Sequence, residues 1–313
     1  MELNELNRRA RGGTELMQER LEQHVPADLL SNFQIIQSRS RTIDPNKRTI
    51  YWLHDLPGDP EVQHLKDDGW KKYDKLVFVS HWQQQMYNVY LGVPYSAGVV
   101  LKNAIEPIEE HSKPNNQKIK LIYTSTPHRG LNILYAAFDA LSKEYKDIEL
   151  DVYSSFNLYG WPERDKPYAD LFNHLRKHKQ INYHSSKPNE QVREALKTAH
   201  IFAYPSVWQE TSCLSLIEAM SAGCLCVHSN LAALPETSMH QTLQYQYTED
   251  TNAHANMFYQ YLRQSIEVYK NSPGTLRPQL DAQSQITNSV FNWTTRGREW
   301  QQLLKHLLTL DPV

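Results

Sequence analysis

The sequence predicts a two-lobed α/β protein built on parallel sheets, and three observations lead there. Its 313 residues exceed what one core of ordinary size organises, because domains cluster near roughly 100–150 residues. Short runs rich in Val, Ile, Tyr and Phe alternate with segments whose apolar residues recur at helical spacing, the pattern of parallel strands joined by crossover helices. Between two such series lies Glu106–Gln117, with two prolines, two adjacent asparagines and many charges, a composition that suits an interdomain linker.

In the first series, Phe33–Gln37, Thr49–Leu53, Lys75–Val79 and Gly98–Leu101 read as strands, with helices over Glu61–Lys71 and Trp82–Tyr90. After the linker, strands are predicted at Lys118–Tyr123, Glu149–Tyr153, Ile181–Tyr183, His200–Pro205 and Cys224–His228. Helices alternate with them at Leu131–Tyr145, Tyr168–Lys177, Asn189–Thr198 and Leu214–Ala222. Phe291–Leu304 is a terminal amphipathic helix, and its Trp293 and Trp300 read as packing anchors. Ligands of open parallel sheets gather at the C-terminal ends of the strands, so a cleft between two such lobes is the expected site.

Composition narrows the function classes. A net charge of −2, with 40% hydrophobic and 22% charged residues, gives no general attraction to nucleic acid or anionic lipid; the basic run His174–Lys179 reads as a solvated helix face. No run of about eighteen apolar residues is present to span a bilayer, and the polar stretch Met1–Gly13 lacks the apolar core of a signal peptide. Three cysteines, Cys213, Cys224 and Cys226, are too few and too unevenly placed for a disulfide framework or a zinc site; they point to packing in a reducing cytoplasm.

The chemistry concentrates in Tyr204–Gly223, where a strand end, a loop and a helix start carry Glu210 and Glu218 with seven residues between them. A carboxylate accepts hydrogen bonds from two vicinal hydroxyls, as a ribose or hexose presents them. The free N–H groups of a helix start, here around Cys213, Leu214 and Ser215, suit a pyrophosphate. This segment resembles the donor-site signature of the retaining glycosyltransferases of family 4, in its Pro205-Ser206 pair, its two glutamates, its Glu218-Ala219-Met220 and its Gly223. The resemblance implies the GT-B fold, two Rossmann-like lobes with parallel sheets facing a central cleft. It also implies that Glu210 faces the transferred sugar and Glu218 binds the ribose of a UDP- or GDP-sugar.

A second motif, Tyr123–Leu131, combines the hydroxyls of Ser125 and Thr126 with His128, Arg129 and Gly130 between a strand and a helix, which suits an anion cradle as well as a helix cap. Family 4 often carries Gly-Arg and Lys-Gly in this region. Here Ser125-Thr126 replaces the first pair and Arg129-Gly130 the second, so one expected cation is missing and its task falls to Lys102 or His128.

In the first lobe, Arg11-Gly12-Gly13 resembles the family's glycine loop, and a plain turn fits equally well. His54 and Asp55 stand at a strand end, where the resemblance places a histidine facing sugar or acceptor with Asp55 fixing its tautomer; a buried structural histidine is the other reading. Lys102-Asn103-Ala104 resembles the family's strand-to-Asn-Gly turn. The resemblance divides the chain into an acceptor-side lobe, 1–112, completed by a helix over 293–313, and a donor lobe, 113–292.

The sequence contains no Asp-x-Asp, His-Glu-x-x-His, Walker A or Gly-x-Ser-x-Gly motif. The expectation is a metal-free retaining transferase with no cofactor, with Glu210, His54 and Arg129 as catalytic residues. Ser125, Thr126, His128, Arg129, Lys102, Cys213, Leu214, Ser215, Gly12, Gly13 and Glu218 are the expected donor contacts. Its partners are a nucleotide sugar and an acceptor that is a glycan, a lipid-linked sugar, a protein or another hydroxyl compound; oligomeric state is not legible. A nucleotide-sugar-binding protein without transfer, and an epimerase or phosphorylase on the same fold, are the alternatives.

Overall fold

The computed structural model describes residues 12–37, 39, 42–113 and 118–310; Arg11, the stretch before it and the linker positions 114–117 lie outside them. The chain opens with α1 (Gly13–His24), α2 (Ala27–Leu30), β1 (Phe33–Gln37), β2 (Arg48–Leu53), β3 (Lys75–Phe78), α3 (His81–Leu91) and β4 (Gly98–Val100). It continues through β5 (Ile119–Thr124), α4 (Leu131–Glu144), β6 (Ile148–Tyr153), α5 (Ala169–Lys177), β7 (Ile181–Ser185), α6 (Asn189–Thr198), β8 (Ile201–Tyr204), α7 (Leu214–Ser221) and β9 (Leu225–Ser229). Then follow α8 (Leu234–Ser238), β10 (Leu243–Tyr245), α9 (Thr251–Asn271), α10 (Pro273–Val290) and α11 (Trp293–Leu308). Two compact units result, one from Met1–Glu106, Glu210–Leu214 and Val290–Val313, the other from Pro107–Gln209 and Ser215–Ser289.

In unit 1 the four strands lie in the order β1-β2-β3-β4, each parallel to its neighbour. Alternate residues of a strand face opposite sides, and the core follows that rule. Ile50 and Trp52 of β2 and Val77 of β3 join Met17 and Leu21 of α1 and Trp293, Trp300 and Leu304 of α11 on one face. Tyr51, Leu53, Leu76 and Phe78 join Val62, Leu65 and Tyr87 on the other. The helix expected over Glu61–Lys71 is instead two short 3-10 turns, Pro60–Leu65 and Gly69–Lys72. Asp67 and Asp68 between them take left-handed backbone at φ 50° and 66°, which interrupts helical propagation.

Unit 2 carries a six-stranded parallel sheet in the order β10-β9-β8-β5-β6-β7. The chain winds outward from β5 through β6 to β7, returns to set β8 against the other side of β5, and winds outward again. The order therefore reverses between β5 and β8, whose registers pair Leu121 with Ile201 and Ile122 with Phe202. Both strands are apolar on both faces, as Leu121, Ile122, Tyr123, Phe202, Ala203 and Tyr204 are fully buried, the composition of a sheet covered on two sides. Gln283 of α10 fastens the α7–β9 connection by donating to Met220 O and Cys224 O, at 3.4 and 2.9 Å. His228 on β9 is fully buried between Ser229 O and Thr242 Oγ1, both at 2.7 Å, and burial lowers its pKa to about 4.

The T-shaped pair of Trp52 and Trp300, with centroids 4.8 Å apart, makes α11 part of the core of unit 1. Trp300→Ala is expected to cost about 3–5 kcal/mol of unfolding free energy in a urea titration. A loss under about 1 kcal/mol would show that α11 is dispensable to that core.

Candidate functional site

The strand reversal in unit 2 brings the loops after β5 and β8 together. Gly130, at φ 107°, closes the β5–α4 loop, and a Cβ there would lie 2.1 Å from Pro205 O. Only glycine tolerates both the left-handed conformation and that approach. Ser215 Oγ, at the start of α7, donates to Thr124 O at the end of β5 at 2.6 Å. Tyr123 Oη donates to Thr126 O at 2.8 Å, and Ser125 N donates to Tyr153 O at 3.2 Å. The hydroxyls of Thr126 and Ser154, at the ends of adjacent strands, and Nδ1 of His128 are enclosed without a hydrogen-bond partner.

Ser125, His128 and Arg129 are half-buried in this loop. The His128 ring stacks on Phe156, centroids 5.2 Å apart at 15°, and meets Trp208 edge-on at 4.8 Å. Burial first, then the charges of Arg129 and Arg164, lower its pKa to about 4. His128 is therefore neutral near pH 7, because desolvation and nearby positive charge both disfavour the imidazolium.

Glu218 is buried on α7, and its carboxylate is held by two residues that the motif does not contain. Asn189 Nδ2 donates to both oxygens, at 2.9 and 3.2 Å, and Arg193 Nη1 lies 3.4 Å from Oε1. Four residues apart, Asn189 and Arg193 share one face of α6; that spacing was the available sequence signal, but nothing in it names Glu218 as the target. Arg193 Nη2 also donates to Pro107 O at 3.4 Å.

The remaining candidates belong to unit 1. Glu210 and Cys213 are buried in the segment preceding α7. Thr211 Oγ1 anchors that segment by donating to His54 O at 2.8 Å, and Leu214 packs against the α1–α11 core. Gly12 is the N-cap of α1 and Gly13 its first residue; a Cβ on Gly13 would stand 3.1 Å from Leu214 Cδ1. Lys102 is half-buried just after β4. The turn after β2 is fixed through backbone carbonyls: Gln83 Nε2 donates to Leu53 O and Asp55 O, and Tyr87 Oη to Asp55 O at 3.1 Å. His54 packs on Trp52 at 4.8 Å, and its enclosed Nε2 has no hydrogen-bond partner. Desolvation alone lowers its pKa to about 3, with no offset from Asp55, so the imidazole is neutral near pH 7. Among the described residues, no group of three or more His, Cys, Asp or Glu side chains is placed to hold a metal ion. No helix among them is long and apolar enough to cross a membrane.

The family model of the glycosyl transferases group 1 matches residues 105–267, just over half of the chain and nearly all of unit 2. The chain belongs to the group 1 glycosyltransferases. Solved structures share the architecture of this glycosyltransferase. A glycosyltransferase from Rickettsia africae superimposes with a TM-score of 0.70 at 14% identity, over 99% of this chain and 85% of that one. Anabaena HepE in complex with UDP-glucose gives a TM-score of 0.60 at 14% identity, over 84% and 72%. The pneumococcal O-GlcNAc transferase GtfA, solved with UDP and GlcNAc, gives 0.60 at 13% identity over 84% of this chain, which spans only 53% of GtfA. These likenesses establish the GT-B fold. No curated protein matches the sequence.

Gly130→Ala is expected to cost about 2–4 kcal/mol, since the left-handed backbone and the collision with Pro205 O both oppose it. The measurement is the unfolding midpoint in urea. A cost under about 0.5 kcal/mol would mean that the loops after β5 and β8 do not meet as described.

Proposed function

We propose that this glycosyltransferase moves a sugar from a nucleoside-diphosphate sugar, UDP- or GDP-linked, to an acceptor hydroxyl with retention of configuration and without a bound metal. The observation that carries the reading is the buried carboxylate of Glu218, oriented by Asn189 and Arg193 on the helix that follows the strand reversal. Two vicinal ribose hydroxyls donate well to such a carboxylate. On this reading the loop Thr124–Gly130 takes the diphosphate, with Arg129 supplying the planar two-pronged contact that a phosphate group favours. The complexes of HepE with UDP-glucose and of GtfA with UDP and GlcNAc support a nucleotide-sugar donor.

In the transfer step, the acceptor oxygen bonds to the anomeric carbon on the face from which the diphosphate departs. The bond from that carbon to the phosphate oxygen breaks, and the hydroxyl proton passes to the leaving diphosphate. Glu210 orients the sugar and stabilises the oxocarbenium-like state without forming a covalent bond, unlike the nucleophilic carboxylate of retaining hydrolases. His54, neutral at physiological pH, acts as a hydrogen-bonding group rather than as a cation. Charge on the leaving group is met by Arg129 and backbone N–H groups, contacts that strengthen as the negative charge grows.

The test is calorimetry with UDP- and GDP-sugars in EDTA, paired with mass analysis for a released nucleoside diphosphate. Glu218→Gln is expected to weaken binding by about 1.5–3 kcal/mol, the worth of a charged hydrogen-bonded contact, while the thermal unfolding profile stays intact. Unchanged affinity in a folded variant removes Glu218 from the site and this reading with it.

A further inference from the structure

A second guanidinium of unit 2 lies in a segment outside the two motifs that packs on the same loop. Between β6 and α5 the chain passes through Ser154–Tyr168, which carries Phe156, Tyr159, Trp161 and Tyr168 and folds into 3-10 turns at Phe156–Tyr159 and Pro162–Tyr168. Asp165 sets its shape, since its carboxylate accepts hydrogen bonds from Phe156 N at 2.8 Å and from Ser155 Oγ. Phe156 so placed is the ring that stacks on His128, one residue before Arg129. Arg164, adjacent to Asp165, lies over the Trp161 ring with its guanidinium carbon 4.3 Å from the centroid, and Trp161 is braced by Tyr159 at 5.4 Å.

Arg164 is exposed and, among the described residues, forms no ion pair with a carboxylate. The Phe156–His128 stack sets the segment that carries Arg164 against the β5–α4 loop, and the charges of Arg129 and Arg164 both lower the His128 pKa. Stacking on an indole fixes the guanidinium plane and lowers the ordering cost of a two-pronged contact.

We propose that Arg164, laid on Trp161, is a second cation for the diphosphate of the donor and acts alongside Arg129. The inference rests on the nucleotide-sugar reading. It accounts for Ser125-Thr126 standing where the resembled family carries an arginine: the charge comes instead from the loop after the neighbouring strand.

The experiment measures equilibrium binding of UDP and GDP, with uridine and guanosine as controls, to the full chain and its variants. Arg164→Ala is expected to lower affinity for the diphosphate roughly ten- to a hundredfold and to leave nucleoside affinity unchanged. Arg164→Lys should recover only part of the loss. Trp161→Ala should reproduce part of it, and Trp161→Phe should keep most of the affinity. Wild-type diphosphate affinity in Arg164→Ala, or equal losses for diphosphate and nucleoside, would overturn the assignment of Arg164 alone. A wild-type chain that binds neither UDP nor GDP would overturn the donor reading as well.

Discussion

The pairing of β5 with β8 is the constraint on which unit 2 depends. Because the strand order reverses there, the loops leaving the two strands meet at the C-terminal edge of the sheet, the place where open parallel sheets take ligands. Everything singled out in unit 2 is attached to that junction. Gly130 lets the first loop touch Pro205, Ser215 ties α7 to the end of β5, and the Thr126 hydroxyl ends enclosed beside them. A group 1 glycosyltransferase sequence thus builds its site from backbone proximity first and side-chain chemistry second.

Charge placement forms the next layer. Glu218 is a buried carboxylate, and burying a charge is costly unless hydrogen bonds and an opposite charge compensate it. Asn189 and Arg193 supply both from α6, which fastens that helix to α7. Two histidines contribute no charge: His54 of unit 1 and His128 of unit 2 are both held neutral, chiefly by desolvation. Positive charge within the β5–α4 loop is therefore carried by the Arg129 guanidinium, a group that stays protonated in most surroundings.

Much of the fold was legible from periodicity alone. β1 and α6 occupy the ranges that their patterns predict, and the strands around them differ by a residue or so at their ends. Glu61–Lys71 misled because its apolar spacing is helical, while the two aspartates that break it take backbone conformations that no local pattern announces. Sheet order was not legible, since it depends on which crossovers turn back. Candidate site residues were nameable from the sequence where one continuous segment carries the pattern, at Glu210, Glu218 and Ser125–Gly130. Contacts from a distant helix or loop were not legible, as those of Asn189 and Arg193 with Glu218 and of Phe156 with His128. The environment of His128 was not legible, because a sequence does not reveal the Phe156 and Trp208 rings packed around it.

Hydrogen exchange of the full chain with and without a bound nucleoside diphosphate tests the central claim most directly. The account predicts slowed exchange in unit 2 at the end of β5 and the loop through Gly130, and at the start of α7 up to Glu218, because a diphosphate and a ribose seated there order those N–H groups. Protection confined to unit 1, or a nucleoside diphosphate that binds and leaves both segments of unit 2 unchanged, would contradict it.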